Sequence, residues 1–264
     1  MSFLDPVFNP VFQPLLRTIG VFWTIAIIAV VYSLYATFVY KYLTNQSRLK
    51  EIKDRQKDLQ KDLRSISKDK PDEMMKIHKE LMSLNKDYMF QASFKPRVMI
   101  ATMIPALIIF TWMAGALAYE PIHAGEMYSV VGTFAPGVSG NALIVADEGT
   151  TVLGNASVPI VAGEDGGLAR WNLNSTTLGT HHLTVSVNGQ NQTKEVLVTD
   201  TFGYSDAIEL YSKSDIKSTS IEYDKLHPLP ESVHPFGWYP GWLAIYVILS
   251  LILSISLRKF LNVY

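Results

Sequence analysis

The sequence predicts an α-helical membrane protein with three transmembrane helices and a cytoplasmic antiparallel coiled-coil hairpin. It also predicts a small extracellular β-sandwich of immunoglobulin-like type. Three observations carry this prediction. Three windows contain no Asp, Glu, Lys or Arg: Thr18–Tyr40, Val98–Tyr119 and Ser232–Leu257. Between the first two lies a charged segment with heptad spacing, and between the last two lies a region of short alternating apolar runs punctuated by glycine. Taken in order, residues 1–17 form an interfacial N-terminal segment, 18–42 the first span and 43–97 the hairpin. The second span is 98–119, the extracellular domain 120–235, the third span 236–257 and the cytoplasmic tail 258–264.

The first two windows are 23 and 22 residues long, and the third holds an apolar core from Trp242 to Leu257. A hydrocarbon layer of about 30 Å needs about 20 such residues, and buried core helices rarely supply that length free of charge three times in one chain. A cleaved signal peptide is a poor account of the first window. Only Arg17 precedes it as a basic residue, and it ends on Phe38, Tyr40 and Tyr42 rather than on a small-residue cleavage site. Residues before it are apolar and broken by proline; they lie in the outer interface or fray.

In the hairpin, Leu49, Ile52, Gln56, Leu59, Leu63 and Ile66 recur at alternating three- and four-residue steps, which puts them on one helical seam. Ser67–Pro71 interrupts the run, and Pro71 suits a new first turn with Asp72 and Glu73 at its positive end. Met74, Ile77, Leu81, Leu84 and Tyr88 repeat the spacing. Two arms of about 20 residues fold back on each other and reach roughly 30 Å.

Charge sets the orientation. Residues 41–97 carry 15 Lys and Arg against 9 Asp and Glu, whereas residues 120–237 carry 5 against 14. Basic loops stay in the cytoplasm. A multi-pass cell-membrane protein follows, with N-terminus outside and C-terminus, after Arg258 and Lys259, in the cytoplasm. There is no cysteine, which excludes disulfides and thiolate metal sites.

Within the extracellular domain, Ala142–Ala146, Ala156–Val161, Leu168–Leu173, His182–Val187 and Glu195–Thr199 read as strands. Asn188-Gly189 reads as a hairpin turn. Five or six strands at about 126–200 fit an immunoglobulin-like sandwich, and residues 201–235 read as a polar return with little pattern. Asn155, Asn174 and Asn191 head glycosylation sequons, although Asn45 does so on the opposite side.

No nucleotide loop, zinc signature or nucleophile elbow is present, so neither a cofactor nor enzymatic activity is expected. His181 and His182 are neighbours on a strand and point to opposite faces, which is poor for a shared metal. No charged residue lies inside the three apolar windows, which argues against an ion-coupled carrier. Ser33, Thr37, Thr102, Ser250 and Ser254 all fall in cytoplasmic halves. They line a hydrophilic groove or pack helix on helix, and Ser and Thr are common in such packing. Met75, Met82, Met89, Met99 and Met103 form a second set, suited to holding varied apolar segments of a client.

At Leu84-Asn-Lys-Asp-Tyr-Met with Ser93-Phe-Lys-Pro96, and at Gly241-Trp-Leu-Ala-Ile-Tyr through Leu257-Arg-Lys259, the chain resembles the archaeal YidC-like membrane proteins. That family is similar to the wider YidC, Alb and Oxa insertases. The resemblance covers roughly residues 1–120 and 236–264 and leaves the sandwich outside. It implies a three-span core with a cytoplasm-facing groove through which apolar segments enter the bilayer. Neither Arg17 nor Arg258 matches the groove arginine of bacterial members, so that residue is not carried over.

The expected function is that of a membrane protein insertase or chaperone acting on nascent membrane proteins within the lipid bilayer. The basic arms suit ribosomal RNA, and the fold leaves room for a further membrane subunit. The alternative is a structural or adhesion protein whose sandwich binds an external partner and whose coiled coil tethers or oligomerises inside. A label at Lys57 should be reachable only from the cytoplasm and a label at Asn174 only from outside; protection of Asn174 in intact cells would overturn the orientation.

Overall fold

The computed structural model describes residues 4–65, 70–92, 95–163, 166–230, 232–233 and 237–263. It forms two compact units: Phe22–Phe110 with Leu243–Tyr264, and Met1–Val21 with Thr111–Trp242.

The first unit holds the helices α2 (Val21–Leu43), α3 (Gln46–Ser65), α4 (Pro71–Ala92), α5 (Pro96–Leu117) up to Phe110, and α6 (Trp242–Phe260). Helices α2, α5 and α6 are long and apolar enough to cross a membrane. At the end of α6, Asn262 turns to φ +52° and the Val263 amide donates to the Arg258 carbonyl at 2.9 Å, a left-handed stop of Schellman type. The Asn45 side chain accepts from the Arg48 amide at 3.1 Å and caps α3.

Helices α3 and α4 run antiparallel. Arg48 meets Asp87 at 3.0 Å, Arg55 meets Glu80 at 2.8 Å, and Gln56 donates to Asn85 at 2.8 Å. These groups face water, so each ion pair contributes no more than about 1 kcal/mol. The seam outweighs them: Leu49, Ile52 and Leu59 are buried, at roughly 1.5–3 kcal/mol each. Ile66 and Ser67–Asp69 of the predicted seam and break, like Ser93 and Phe94, lie outside the described residues.

The second unit holds α1 (Asp5–Ile19), the end of α5 and ten strands: β1 (Met127–Phe134), β2 (Asn141–Ala146), β3 (Thr150–Leu153), β4 (Ser157–Pro159), β5 (Val161–Gly163), β6 (Gly166–Ser175), β7 (Gly179–Val187), β8 (Gln190–Val198), β9 (Ile208–Leu210) and β10 (Ile216–Glu222). One antiparallel sheet has the order β3-β6-β1-β10-β9 with β5 beside β6; the other has the order β4-β2-β7-β8. Their inner faces share one core around Val130, Phe134, Ile144, Trp171, Val185 and Val196. Trp171 is buried, and its indole N–H donates to the Ala156 carbonyl at 2.9 Å, which leaves that donor satisfied. Gly132 sits where a Cβ would come within 3.1 Å of the Phe134 ring and 3.3 Å of Trp171. Asn188 and Gly189 both adopt positive φ and close the β7–β8 hairpin as expected.

The sandwich is larger than the sequence reading allowed. Strands β9 and β10 lie in the stretch read as a patternless return, and β10 pairs with β1 inside its sheet rather than at an edge. Its inward positions are Ile216, Thr219 and Ile221, a set whose alternation is interrupted by a polar residue and by a register shift opposite Thr133 and Phe134.

The return also ties the sandwich to the end of α5. The Tyr204 hydroxyl donates to the Ala114 carbonyl, the Glu120 amide to Asp224 at 2.9 Å and the Leu226 amide to Ala118 at 3.3 Å. Tyr119, Tyr204 and Tyr223 cluster with edge-on and tilted rings whose centroids are 5.0–5.5 Å apart. Burial pushes the Tyr204 and Tyr223 hydroxyls up to about 12 from an ordinary value of 10.0. A raised native value means that the stabilising contribution is complete below the unfolded value and is lost as pH rises through the native one. Thermal unfolding of the sandwich should therefore be insensitive to these groups below pH 10 and fall between 10.0 and about 12. The double variant Tyr204→Phe, Tyr223→Phe should flatten that fall, and an unchanged slope would show that the cluster is not its source.

Candidate functional site

Side chains join the helices of the spanning unit, and one of them answers a backbone defect. Pro105 interrupts α5 and has no N–H, so the carbonyl four residues earlier, that of Ala101, loses its helical donor. The Tyr35 hydroxyl donates to that carbonyl at 2.8 Å, and the Tyr32 hydroxyl donates to the neighbouring Thr102 carbonyl at 3.0 Å. Phe110 meets Tyr246 edge-on, with centroids 5.0 Å apart, and joins α5 to α6. The Arg258 guanidinium lies over the Tyr40 ring at 4.3 Å and joins α6 to α2.

Ser33 and Thr37 are buried, on the same stripe of α2 as Ile25, Ile28 and Ala29. Thr102, Ser250 and Ser254 are half-buried. Three of the five predicted polar residues bond back to their own helices: Thr37 to Ser33 at 2.7 Å, Thr102 to Val98 at 2.9 Å and Ser250 to Val247 at 3.1 Å. No hydrogen bond joins any two of the five side chains among the described residues. The structure therefore places them on three helices of one unit without building a network from them.

The unsatisfied atoms are more telling. Three buried side-chain atoms lack a hydrogen-bond partner among the described residues: Ser33 Oγ, the Tyr246 hydroxyl and Arg258 Nε. All three belong to the spanning unit. The sequence reading counted only Ser and Thr as polar spans' contents, and so passed over Tyr32, Tyr35 and Tyr246. A tyrosine placed away from the two ends of a span was the available signal.

On α4, Met75, Met82 and Met89 stand a heptad apart on the face turned away from α3, with 64, 62 and 52% of their surface exposed. Met82, Lys86, Met89 and exposed Phe90 line an open groove of about 900 Å³. Met74 is half-buried on the seam. Met99 and Met103 share the exposed face of α5 with Ile100, Ile104 and Leu107, a surface that lipid would also cover.

Residues 9–132 match the family described as integral membrane protein EMC3/TMCO1-like. The EMC3/TMCO1-like family lies in the Oxa1/YidC/Alb3 insertase-related superfamily and is linked to membrane protein insertion. The EMC3/TMCO1-like match takes in most of α1, all of α2 to α5 and the first part of β1; α6 and the rest of the sandwich fall outside it. No curated protein matches the chain.

The sequons are placed unequally. Asn155 and Asn191 are exposed, whereas Asn174 is half-buried and its amide donates to the Gly125 carbonyl at 2.6 Å. His181 is buried and sits 3.0 Å from Asp147, while the neighbouring His182 is exposed on the other face. His181 thereby ties the turn before β3 to β7.

The seam and the outward methionine face predict opposite outcomes for a buried charge. Leu59→Asp places a carboxylate where burial costs several kcal/mol, and separation of the arms relieves that cost. Spectroscopic labels at Lys57 and Lys79 should move apart in Leu59→Asp and stay put in Met82→Asp; equal distances in both would mean that the seam does not hold the pair.

Proposed function

We propose that the chain is a membrane protein insertase or chaperone, similar to the archaeal YidC-like proteins. Its spanning unit offers a polar, hydrated groove to segments arriving from the cytoplasm. The unpartnered Ser33 Oγ in the cytoplasmic half of α2 carries this reading. An unmatched buried polar group in hydrocarbon costs several kcal/mol, so Ser33 Oγ calls for water or for a substrate's polar flank, and the unmatched Arg258 Nε in the last turn of α6 lies toward the same side. The family match and its link to insertion support the same reading.

In this mechanism the N-terminus and the sandwich are outside, and α3, α4 and the C-terminus are in the cytoplasm. The helical pair acts as a coiled coil that meets a nascent chain, with its basic excess against ribosomal RNA. Met75, Met82 and Met89 hold the apolar segment, because unbranched thioether side chains adapt to varied surfaces. The segment then moves beside Ser33, Thr37, Thr102, Ser250 and Ser254, where water shortens the hydrophobic path for its polar flanks. No covalent bond is made or broken, and no cofactor takes part. The immunoglobulin-like sandwich is an addition outside the insertase core.

The chain lacks cysteine, which makes the test direct. Single cysteines at Ser33, Ser250 or Ser254 should react with a water-soluble maleimide added from the cytoplasmic side, because alkylation needs thiolate and therefore water. Cysteines at Ile27 and Ile248, which are 39 and 43% exposed on the outer faces of their helices, should lie in lipid and react at least about tenfold more slowly. Replacing Ser33, Thr37, Ser250 and Ser254 together by Ala or Val should slow client insertion while the protein stays folded, since intramembrane hydrogen bonds average only about 0.6 kcal/mol. Uniformly low reactivity at all positions would remove the groove.

A further inference from the structure

Helix α1 has two unlike faces. On one, Leu4, Gln13 and Leu16 are buried, and Phe8 and Phe12 stack on Trp112 at 5.5 and 4.9 Å. Gln13 also exchanges two hydrogen bonds with the Phe202 backbone, at 2.5 and 3.1 Å. The opposite face presents Val7, Pro10, Val11, Pro14 and Thr18, with Val7 and Val11 at 68 and 57% exposure. None of these is charged; of the two ionisable residues of the helix, Asp5 lies on the other side, and exposed Arg17 borders this face in its last turn, where its guanidinium donates to the Asp200 carbonyl at 3.2 Å. A face whose one bordering charge sits in the last turn is matched to an apolar solvent edged by polar groups rather than to water.

Two observations identify what covers it. The first is height. Trp112 belongs to the apolar helix ending at Leu117, so the residues it stacks on lie about 7–8 Å inside that end, at 1.5 Å per residue. Gly20 alone separates α1 from the first apolar span. The stacking on Trp112 and the one-residue link to α2 both place α1 at the boundary between acyl chains and headgroups, where interfacial helices bury about 5–10 Å.

The second observation is the proline spacing. Pro6, Pro10 and Pro14 follow one another at four-residue intervals. Pro10 and Pro14 carry no N–H, so the carbonyls of Pro6 and Pro10 lose their helical donors. No side chain donates to either among the described residues, in contrast to the tyrosine that serves the Ala101 carbonyl in α5. Deep hydrocarbon would leave these carbonyls unmatched at several kcal/mol each, whereas water and headgroup donors reach them at the boundary. A protein cover would have to be apolar and yet supply two donors at this spacing.

We propose that α1 lies in the plane of the bilayer with Val7, Pro10, Val11, Pro14 and Thr18 seated at the acyl–headgroup boundary of the leaflet on the sandwich's side. Through the Gln13–Phe202 pair it holds the sandwich against the lipid surface. The proposal is independent of the insertase reading, because it concerns only the unit that contains the sandwich.

The test uses the full-length chain in phosphatidylcholine vesicles, with an environment-sensitive fluorophore on a single cysteine at Val11, at Thr18, or at exposed Ser139 in the sandwich. A nitroxide high on the acyl chain should quench the Val11 and Thr18 probes at least about twofold more than the Ser139 probe, and more than a nitroxide near the chain end does. Iodide in the water should show the reverse order. Val7→Glu with Val11→Glu, two exposed positions where folding is retained, should cut lipid quenching at Thr18 at least about twofold. Val11 as open to iodide as Ser139, Val11 screened from iodide and lipid alike as under a second copy or a protein subunit, or lipid quenching at Thr18 unchanged in the charged variant would each overturn the proposal.

Discussion

A polar atom carried into hydrocarbon must find a partner or water, and much of the spanning unit follows from that constraint. Pro105 would by itself leave a bare carbonyl in α5; Tyr35 from α2 reaches it at 2.8 Å, so the defect becomes a joint between two helices. Thr37, Thr102 and Ser250 avoid the cost by bonding back to their own helices. Once these are accounted for, Ser33 Oγ, the Tyr246 hydroxyl and Arg258 Nε stand apart. Arg258 is partly compensated by the Tyr40 ring, which meets its face and leaves the edge nitrogen unmatched.

The same constraint explains what could be read from the sequence. Spans announce themselves because one charge is costly enough to be excluded over 20 residues, so their absence of charge is a strong signal. The hairpin seam is similarly plain: Leu49, Ile52 and Leu59 are buried at the positions where the heptad puts them. Sheet positions are weaker signals. Strand β1 turns Tyr128, Val130, Gly132 and Phe134 inward, and Gly132 is glycine because Phe134 and Trp171 already fill its place; in the sequence that position reads as a gap in the apolar alternation. In β10 the buried Thr219 has the same effect, since the Tyr211 hydroxyl lies 2.8 Å from its own and satisfies it in a way that no periodicity reveals. For the candidate groove, residue types were legible but partners were not, because whether a serine bonds to its own helix or to nothing depends on the neighbouring helices.

Within the second unit, defined hydrogen bonds pin α1 and the end of α5 to the sandwich. Gln13 with Phe202, Tyr204 with Ala114 and the paired backbones at 118–120 and 224–226 all act on the loop after β8 or on the return beyond β10. That is why the stretch beyond Val198, empty of pattern in the sequence, is well supplied with contacts. Lys194 fits the same scheme: it is buried on β8, donates to the Asp206 carbonyl and lies 3.8 Å from the Glu209 carboxylate. Burial lowers its affinity for a proton, and the nearby carboxylates act against that shift.

The helical pair shows an imbalance that bears on how it would act. Helix α3 buries Leu49, Ile52 and Leu59, yet of the α4 seam residues Ile77, Leu81, Leu84 and Tyr88 none is more than half-buried. Helix α4 also turns Met75, Met82, Met89 and Phe90 outward. A single partner helix can cover one stripe, and α4 is apolar on two. The exposed ion pairs are too weak to offset the uncovered surface. A third apolar helix laid against α4 would bury both the outward methionines and the open edge of the seam, at roughly 1.5–3 kcal/mol for each large side chain fully covered. Because methionine adapts its shape, such an occupant need not have a fixed sequence. In the insertase reading this asymmetry is how a two-helix device holds a client: the pair is closed enough to stay folded and left short of the one helix that would complete it.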